Sequence, residues 1–114
     1  GKIPAQIKIA TAQQQEAVAN YGSISLKAFK EVENNLMNEN SLIQRLPYQQ
    51  EVINNRSESI RIAKLKYELG KMDLLPVLQL QNALIASKEE LIKLQNAQLS
   101  NRINLYLTLG GNFE

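Results

Sequence analysis

An apolar residue recurs every seven positions along most of this sequence, in two blocks separated by one break near Gly70. In the first block Leu46, Ile53, Ile60 and Tyr67 follow one another at steps of seven. Such a repeat is typical of helices that pack lengthwise along a seam, because seven residues make close to two helical turns. The sequence therefore predicts an all-α fold, a long antiparallel coiled-coil helical hairpin.

The first helix is predicted over about residues 4–69. Its amino-terminal part alternates steps of three and four, with Gln14 in the one polar position of an otherwise apolar series: Ile3, Ile7, Ala10, Ala17, Tyr21, Ile24 and Ala28. The steps through Val32 to Leu36 are four and four, which predicts a four-residue slip of the seam, a stutter. Pro47 predicts a bend without a stop, because Leu46 and Ile53 keep one register across it.

The break between the blocks predicts a chain reversal within about three residues. Gly70 suits the left-handed position that closes a helix. Asp73 is a candidate cap for the next helix, and Pro76 would lie in the first turn, where a missing N–H is tolerated.

The second helix is predicted over about residues 74–109, ended by Gly110 and Gly111. Its apolar residues form two adjacent seven-residue series. One series is Val77, Leu84, Leu91 and Leu105, and the other is Leu78, Ile85, Ile92, Leu99 and Tyr106. A helix with two seams is expected to pack against neighbours on two sides, as in the wall of a closed tube.

The two predicted helices have unequal lengths. At about 1.5 Å per residue the first would span roughly 100 Å and the second roughly 50 Å. The first helix therefore needs a further partner along its upper half, so we expect the hairpin to be incomplete alone.

Composition excludes several classes of function. The chain has 114 residues with no cysteine and no histidine, which removes disulfides, the common zinc and haem ligands and the usual nucleophile–base pairs. Thirteen basic and eleven acidic residues are interspersed, so no basic stripe suits a nucleic acid. No stretch reaches the roughly 20 apolar residues of a membrane span, and no leader peptide begins the sequence. We therefore expect no enzyme, cofactor or metal site.

Three blocks of the sequence resemble the TolC-like outer-membrane efflux proteins, in the branch that serves RND-type pumps. Residues 26–36, LKAFKEVENNL, are similar to the family pattern A-F-x-E-V-E-x-x-L. Residues 66–81 resemble R-Y-x-x-G followed by L-x-V-L-D-A-Q, and residues 101–111, NRINLYLTLGG, resemble R-V-x-L-Y-x-A-L-G-G. The three blocks occur in the family's order over nearly the whole length, in the second-half helical region.

The resemblance implies a homotrimer in which each subunit supplies two such hairpins and a set of strands. The hairpins would form a helical tunnel across the periplasm, and contact with the membrane would come only through a β-barrel whose strands are absent from this segment. The segment would be a passive conduit that docks to a periplasmic adaptor (membrane fusion) protein and so joins an inner-membrane RND pump.

The resemblance also assigns roles to residues near the turn. Leu69, Gly70, Lys71, Met72 and Asp73 would form the tip that docks to the adaptor. Tyr67 resembles a tyrosine that holds the entrance shut. Pro76 and Gln79 occupy positions where the family commonly has aspartates facing the lumen; since neither is acidic, a charged ring there is doubtful unless Asp73 or another hairpin supplies it.

Two other functions fit the repeat. A free-standing antiparallel coiled-coil tether or scaffold has the same periodicity, and so does the hairpin of an adaptor protein. Asparagine and glutamine make up about one-fifth of the chain, which suits either a wettable, weakly charged lumen wall or an exposed coiled-coil face.

Overall fold

The computed structural model describes the backbone of residues 2–110 and the side chains of residues 11–110. Helix α1 spans Lys2–Glu68, and helix α2 spans Leu74–Leu109. They form one extended hairpin of 102 × 25 × 16 Å. The predicted all-α hairpin is therefore confirmed, with helix bounds within two residues of those expected. No helix in this part of the chain is both long and apolar enough to cross a membrane.

Helix α1 continues without interruption through Pro47. Proline has no N–H to offer the carbonyl four residues earlier and costs roughly 3 kcal/mol in a helix interior. The helix persists because packing on both sides of Pro47 holds it: Leu42 and Ile53 are each only 6% exposed.

The helices pack side by side along a seam whose members alternate at steps of three and four. Its buried residues are Leu42, Ile53, Ile60 and Ala63 on α1, and Val77, Ser87, Leu94 and Asn101 on α2. The series predicted from Val77 is confirmed as part of this seam, since Leu84, Leu91 and Leu105 are half-buried.

The predicted stutter at Leu36 is wrong. Leu36 is 53% exposed, and the half-buried residue at that level is Asn35, seven positions before Leu42. The seven-residue period thus continues upward without a slip. A polar residue can hold the position because the side-chain amide of Asn101, on α2, bonds to the Asn35 carbonyl oxygen.

The turn closes α1 with Gly70 in the left-handed region, at φ 71°, as predicted. The Gly70 N–H donates to the Tyr67 carbonyl at 3.0 Å, and the Lys71 N–H donates to the Lys66 carbonyl at 2.7 Å. These two bonds are the Schellman pattern, which satisfies carbonyls left unpaired at a helix end.

The second helix begins without the predicted cap. Asp73 occupies the N-cap position with extended backbone, but its side chain makes no capping hydrogen bond. The capping prediction was therefore right about position and wrong about the contact. Pro76 is the third residue of α2, in the first turn as expected.

Helix α2 ends far short of the start of α1. Its last turn, at Leu107 and Thr108, shares a groove with Glu31 and Asn34. The part of α1 above this level has no facing helix, and Val18, Tyr21 and Ile24 are 69, 75 and 68% exposed. The predicted shortage of partners is confirmed for these residues, whereas the side chains of Ile3, Ile7 and Ala10 lie outside the described part.

Candidate functional site

One line of large apolar side chains on α2 is left exposed by the hairpin. We call it the apolar strip: Leu78, Ile85, Ile92, Leu99 and Tyr106, which are 44, 54, 55, 60 and 62% exposed. Each follows a seam position by one residue, so the strip lies beside the seam and not within it. The second predicted seam is therefore present as a surface without a partner.

Helix α1 carries a shorter apolar line of the same kind. Phe29, Leu36 and Ile43 stand at steps of seven and are 59, 53 and 52% exposed. They too follow seam positions by one residue, which puts them on the same broad side of the antiparallel pair as the strip. We call this the apolar side of the hairpin.

The opposite broad side is polar in its upper half. Its residues precede seam positions by one or by four, and together with seam residues they line an open groove of about 440 Å³. The lining comprises Asn35, Asn38, Ser41, Leu42, Arg45, Ala97, Ser100, Asn101 and Asn104. Arg45 and Glu90 face each other across this side, with nitrogen and oxygen 3.8 Å apart. We call this the polar side.

A cluster of polar side chains lies in the seam around Glu39. The Glu39 carboxylate accepts hydrogen bonds from Arg102 Nε at 2.9 Å and from Gln98 Nε2 at 3.1 Å. Its second oxygen lies 3.5 Å from the Asn101 amide nitrogen. Partial desolvation acts to raise the pKa of Glu39, but the hydrogen bonds and charge of Arg102, with the bonds from Asn101 and Gln98, outweigh it and hold the pKa below its ordinary value.

A second polar cluster surrounds Ser87, which is 3% exposed. The Gln49 side chain donates to the Ser87 carbonyl at 3.0 Å, and Arg56 donates to the Ala83 carbonyl at 2.7 Å and to the Ser87 hydroxyl. No buried side-chain polar atom in the described part lacks a partner. The two clusters thus connect α1 to α2 without leaving unsatisfied groups in the seam.

Neither cluster was predicted, although the sequence contained a usable signal. Continuing the step of seven from Leu80 toward Leu94 passes through Ser87, and continuing it from Val32 toward Leu46 passes through Glu39. A series defined only by apolar residues omits such positions.

The predicted docking residues lie together at the turn. Leu69 is 62% exposed, Lys71 and Asp73 are exposed, and Met72 is half-buried. A Cβ atom added at Gly70 would meet nothing within 4 Å, so the turn has open space around its backbone. The tip thus presents a small apolar contact and exposed backbone at the end of the rod.

The predicted entrance residues lie within about two turns of the tip. Tyr67 is 45% exposed. Pro76 is half-buried and Gln79 is exposed, and both stand a multiple of seven residues before groove residues, namely Asn104 and Ser100 respectively. The structure therefore brings Pro76 and Gln79 to the polar side of the hairpin.

The arrangement suits packing and docking. Residues 11–110 contain no group of carboxylates able to hold a metal ion. A rod with one satisfied seam, one unpartnered apolar strip and an open tip is a part of a larger helical wall.

The comparisons with known proteins identify the wall. Residues 1–111 match the family model described as outer membrane efflux protein. The chain belongs to the outer membrane efflux protein family, a family of transport proteins and not of enzymes. No solved structure matches the hairpin.

Named relatives align along nearly all of the chain. It is 33% identical over 97% of its length to the cation efflux system protein CusC of Escherichia coli K12, and 32% identical over 97% to the probable outer membrane lipoprotein SilC of Salmonella typhimurium. It is 31% identical over 97% to the toluene efflux pump outer membrane protein TtgI of Pseudomonas putida. The chain spans 24% of the length of each of these relatives.

Proposed function

We propose that this chain is a stretch of periplasmic tunnel wall in an outer-membrane efflux duct, one hairpin of a longer subunit that acts in a homotrimer. The duct is a passive conduit, and the energy for export comes from a separate pump. Relatives named for cations and for toluene match the same stretch. A wall that does not recognise its cargo accounts for such different solutes on one scaffold.

The apolar strip carries the proposal. Apolar surface gains roughly 25 cal/mol for each Å² removed from water, so five large side chains in line favour burial against another helix. Neighbouring hairpins of the same duct supply that helix. A free-standing tether would leave the strip in water along the whole of α2.

A charge placed on the strip tests this role. In the full-length protein we expect Ile92→Lys to abolish assembly of the duct, because a lysine ammonium would be buried between helices. The matched control is Ser100→Lys, which puts the same charge on the exposed polar side of α2 and leaves assembly intact. Normal trimers with Ile92→Lys in native electrophoresis would refute a wall role for the strip.

The tip docks to a periplasmic adaptor protein, which joins the duct to an inner-membrane pump of the RND type. Support comes from the open backbone at Gly70 and the exposed Leu69 beside it. Glycine allows close approach of a partner's backbone, and a small apolar side chain next to it gives an anchor.

A pair of substitutions at Gly70 separates docking from folding. Asparagine tolerates the left-handed conformation, so Gly70→Asn should keep both turn and export. Gly70→Trp should abolish export while trimers still assemble, because an indole fills the space that the adaptor occupies. Full drug resistance in cells carrying Gly70→Trp would remove the docking role.

A further inference from the structure

We infer that the polar side of the hairpin, with its groove between Asn38 and Ser41 on α1 and Ser100 and Asn104 on α2, faces the water-filled lumen of the duct. This inference rests on the proposed function. It assigns the cargo-facing surface to one of the two broad sides and names the residues along it.

The first step is the contrast between the two sides. The apolar side carries the strip on α2 and the line from Phe29 to Ile43 on α1, all of them 44 to 62% exposed. At the same level the polar side presents amides, hydroxyls and the Arg45–Glu90 pair. Only the polar side can remain wet over this length without leaving a continuous apolar surface in water.

The second step is where a covering element can be placed. The apolar side has to be covered by further protein. Protein that covered it from the lumen would occupy the passage, whereas protein on the outer surface obstructs nothing. Coverage therefore belongs to the outside of the duct, and the lumen lies on the other broad side, where the open groove is.

The chemistry of the groove suits a transit surface. The side chains at its rim are mainly amides and hydroxyls, and the groove has no aromatic residue in its lining. Arg45 and Glu90 offset each other's charge. Such a surface binds water well and holds neither ions nor apolar solutes firmly, which fits hydrated cargo moving past without a binding site.

Thiol labelling during single-channel recording tests the assignment. The chain has no cysteine, so Ser41→Cys and Ser100→Cys add one conservative thiol to it, in full-length protein freed of any other cysteine and reconstituted in planar lipid bilayers. The matched control is Ser57→Cys, an exposed serine of α1 that stands fourteen residues after Ile43, on the line of the apolar side. Because the channel opens before the reagent is added, a folding defect is seen separately from labelling.

We expect a cationic methanethiosulfonate reagent to lower the conductance of Ser41→Cys and Ser100→Cys channels in steps and to shift their reversal potential toward anions. Ser57→Cys channels should not respond. Mass spectrometry of the recovered protein verifies labelling. Labelled Ser41→Cys and Ser100→Cys channels with unchanged conductance would place the groove outside the duct, and a response confined to Ser57→Cys would put the lumen on the apolar side. Either result overturns the inference while the duct stands, whereas absence of any channel in the unsubstituted protein overturns the proposed function itself.

Discussion

The side-chain amide of Asn101 donates a hydrogen bond of 2.7 Å to the backbone carbonyl of Asn35, across 66 positions of sequence. Asn101 is 7% exposed, within the seam between the helices. A buried asparagine is satisfied only in the alignment that brings its partner opposite, so this contact selects one register of α1 against α2.

Substitution of Asn101 should therefore separate stability from alignment. We expect Asn101→Ala to lower the free energy of unfolding of the hairpin by about 1–2 kcal/mol, because it removes a buried hydrogen bond and side-chain volume. Asn101→Leu should recover stability by filling the position with apolar volume. It should also broaden the distance distribution between spin labels on Gln44 and Gln95, since the register is no longer selected.

Circular dichroism gives the stabilities, and pulsed electron resonance gives the distances. A single narrow distance with Asn101→Leu would show that the apolar residues alone set the register. The unsubstituted chain with the same two labels is the control.

Glu39 should make the hairpin sensitive to acid. Its pKa is lower in the folded protein than its ordinary value of 4.5, since the bonds from Arg102 and its neighbours outweigh desolvation. A depressed carboxylate pKa adds stability that is complete above the unfolded-state pKa and is lost as pH falls through the folded-state value. We expect the melting temperature to hold near neutral pH and to fall as the pH decreases below about 4.5.

The substitution Glu39→Gln should remove part of this acid dependence and lower the melting temperature at pH 7. Glu58 provides the control, because the Arg61 hydrogen bond lowers its pKa as well but both residues lie on α1. Glu58→Gln should change the acid dependence of α1 helicity without affecting the spacing of the helices. An acid profile of Glu39→Gln identical to that of the unsubstituted chain would exclude Glu39 as the source.

The periodicity of apolar residues was enough to predict the hairpin, its turn and the strip. Leu78 to Tyr106 form a series that needs no knowledge of the partner helix, and Gly70 has few alternatives at a helix end. These features depend on local geometry and on single helices, which is why the sequence specifies them.

The errors fall where two helices meet. Leu36 was placed in the seam because it is apolar, yet Asn35 takes that level since Asn101 offers it a hydrogen bond. Glu39, Arg56 and Ser87 were missed for the same reason: a polar residue is admitted to a seam by its partner on the other helix, and one helix does not reveal that partner. The absent Asp73 cap shows that a suitable residue type does not ensure the contact.

The unsatisfied strip should make the isolated 114-residue chain self-associate. Five side chains that are 44 to 62% exposed in one line give two copies a surface on which to pair. Sedimentation velocity should show a concentration-dependent shift to dimers or larger species, with helicity that increases alongside it.

Replacing Ile85, Ile92 and Leu99 together by glutamine should abolish this association, because glutamine keeps good helix propensity while removing the apolar surface. The matched control replaces Ala86, Lys93 and Ser100 by glutamine, three positions each one residue further along on the polar side, and should associate like the unsubstituted chain. If the strip variant associated as strongly as this control, contacts elsewhere, such as Val18 to Ile24 on the overhanging part of α1, would account for self-association. The strip would then have no demonstrated affinity for a neighbouring helix.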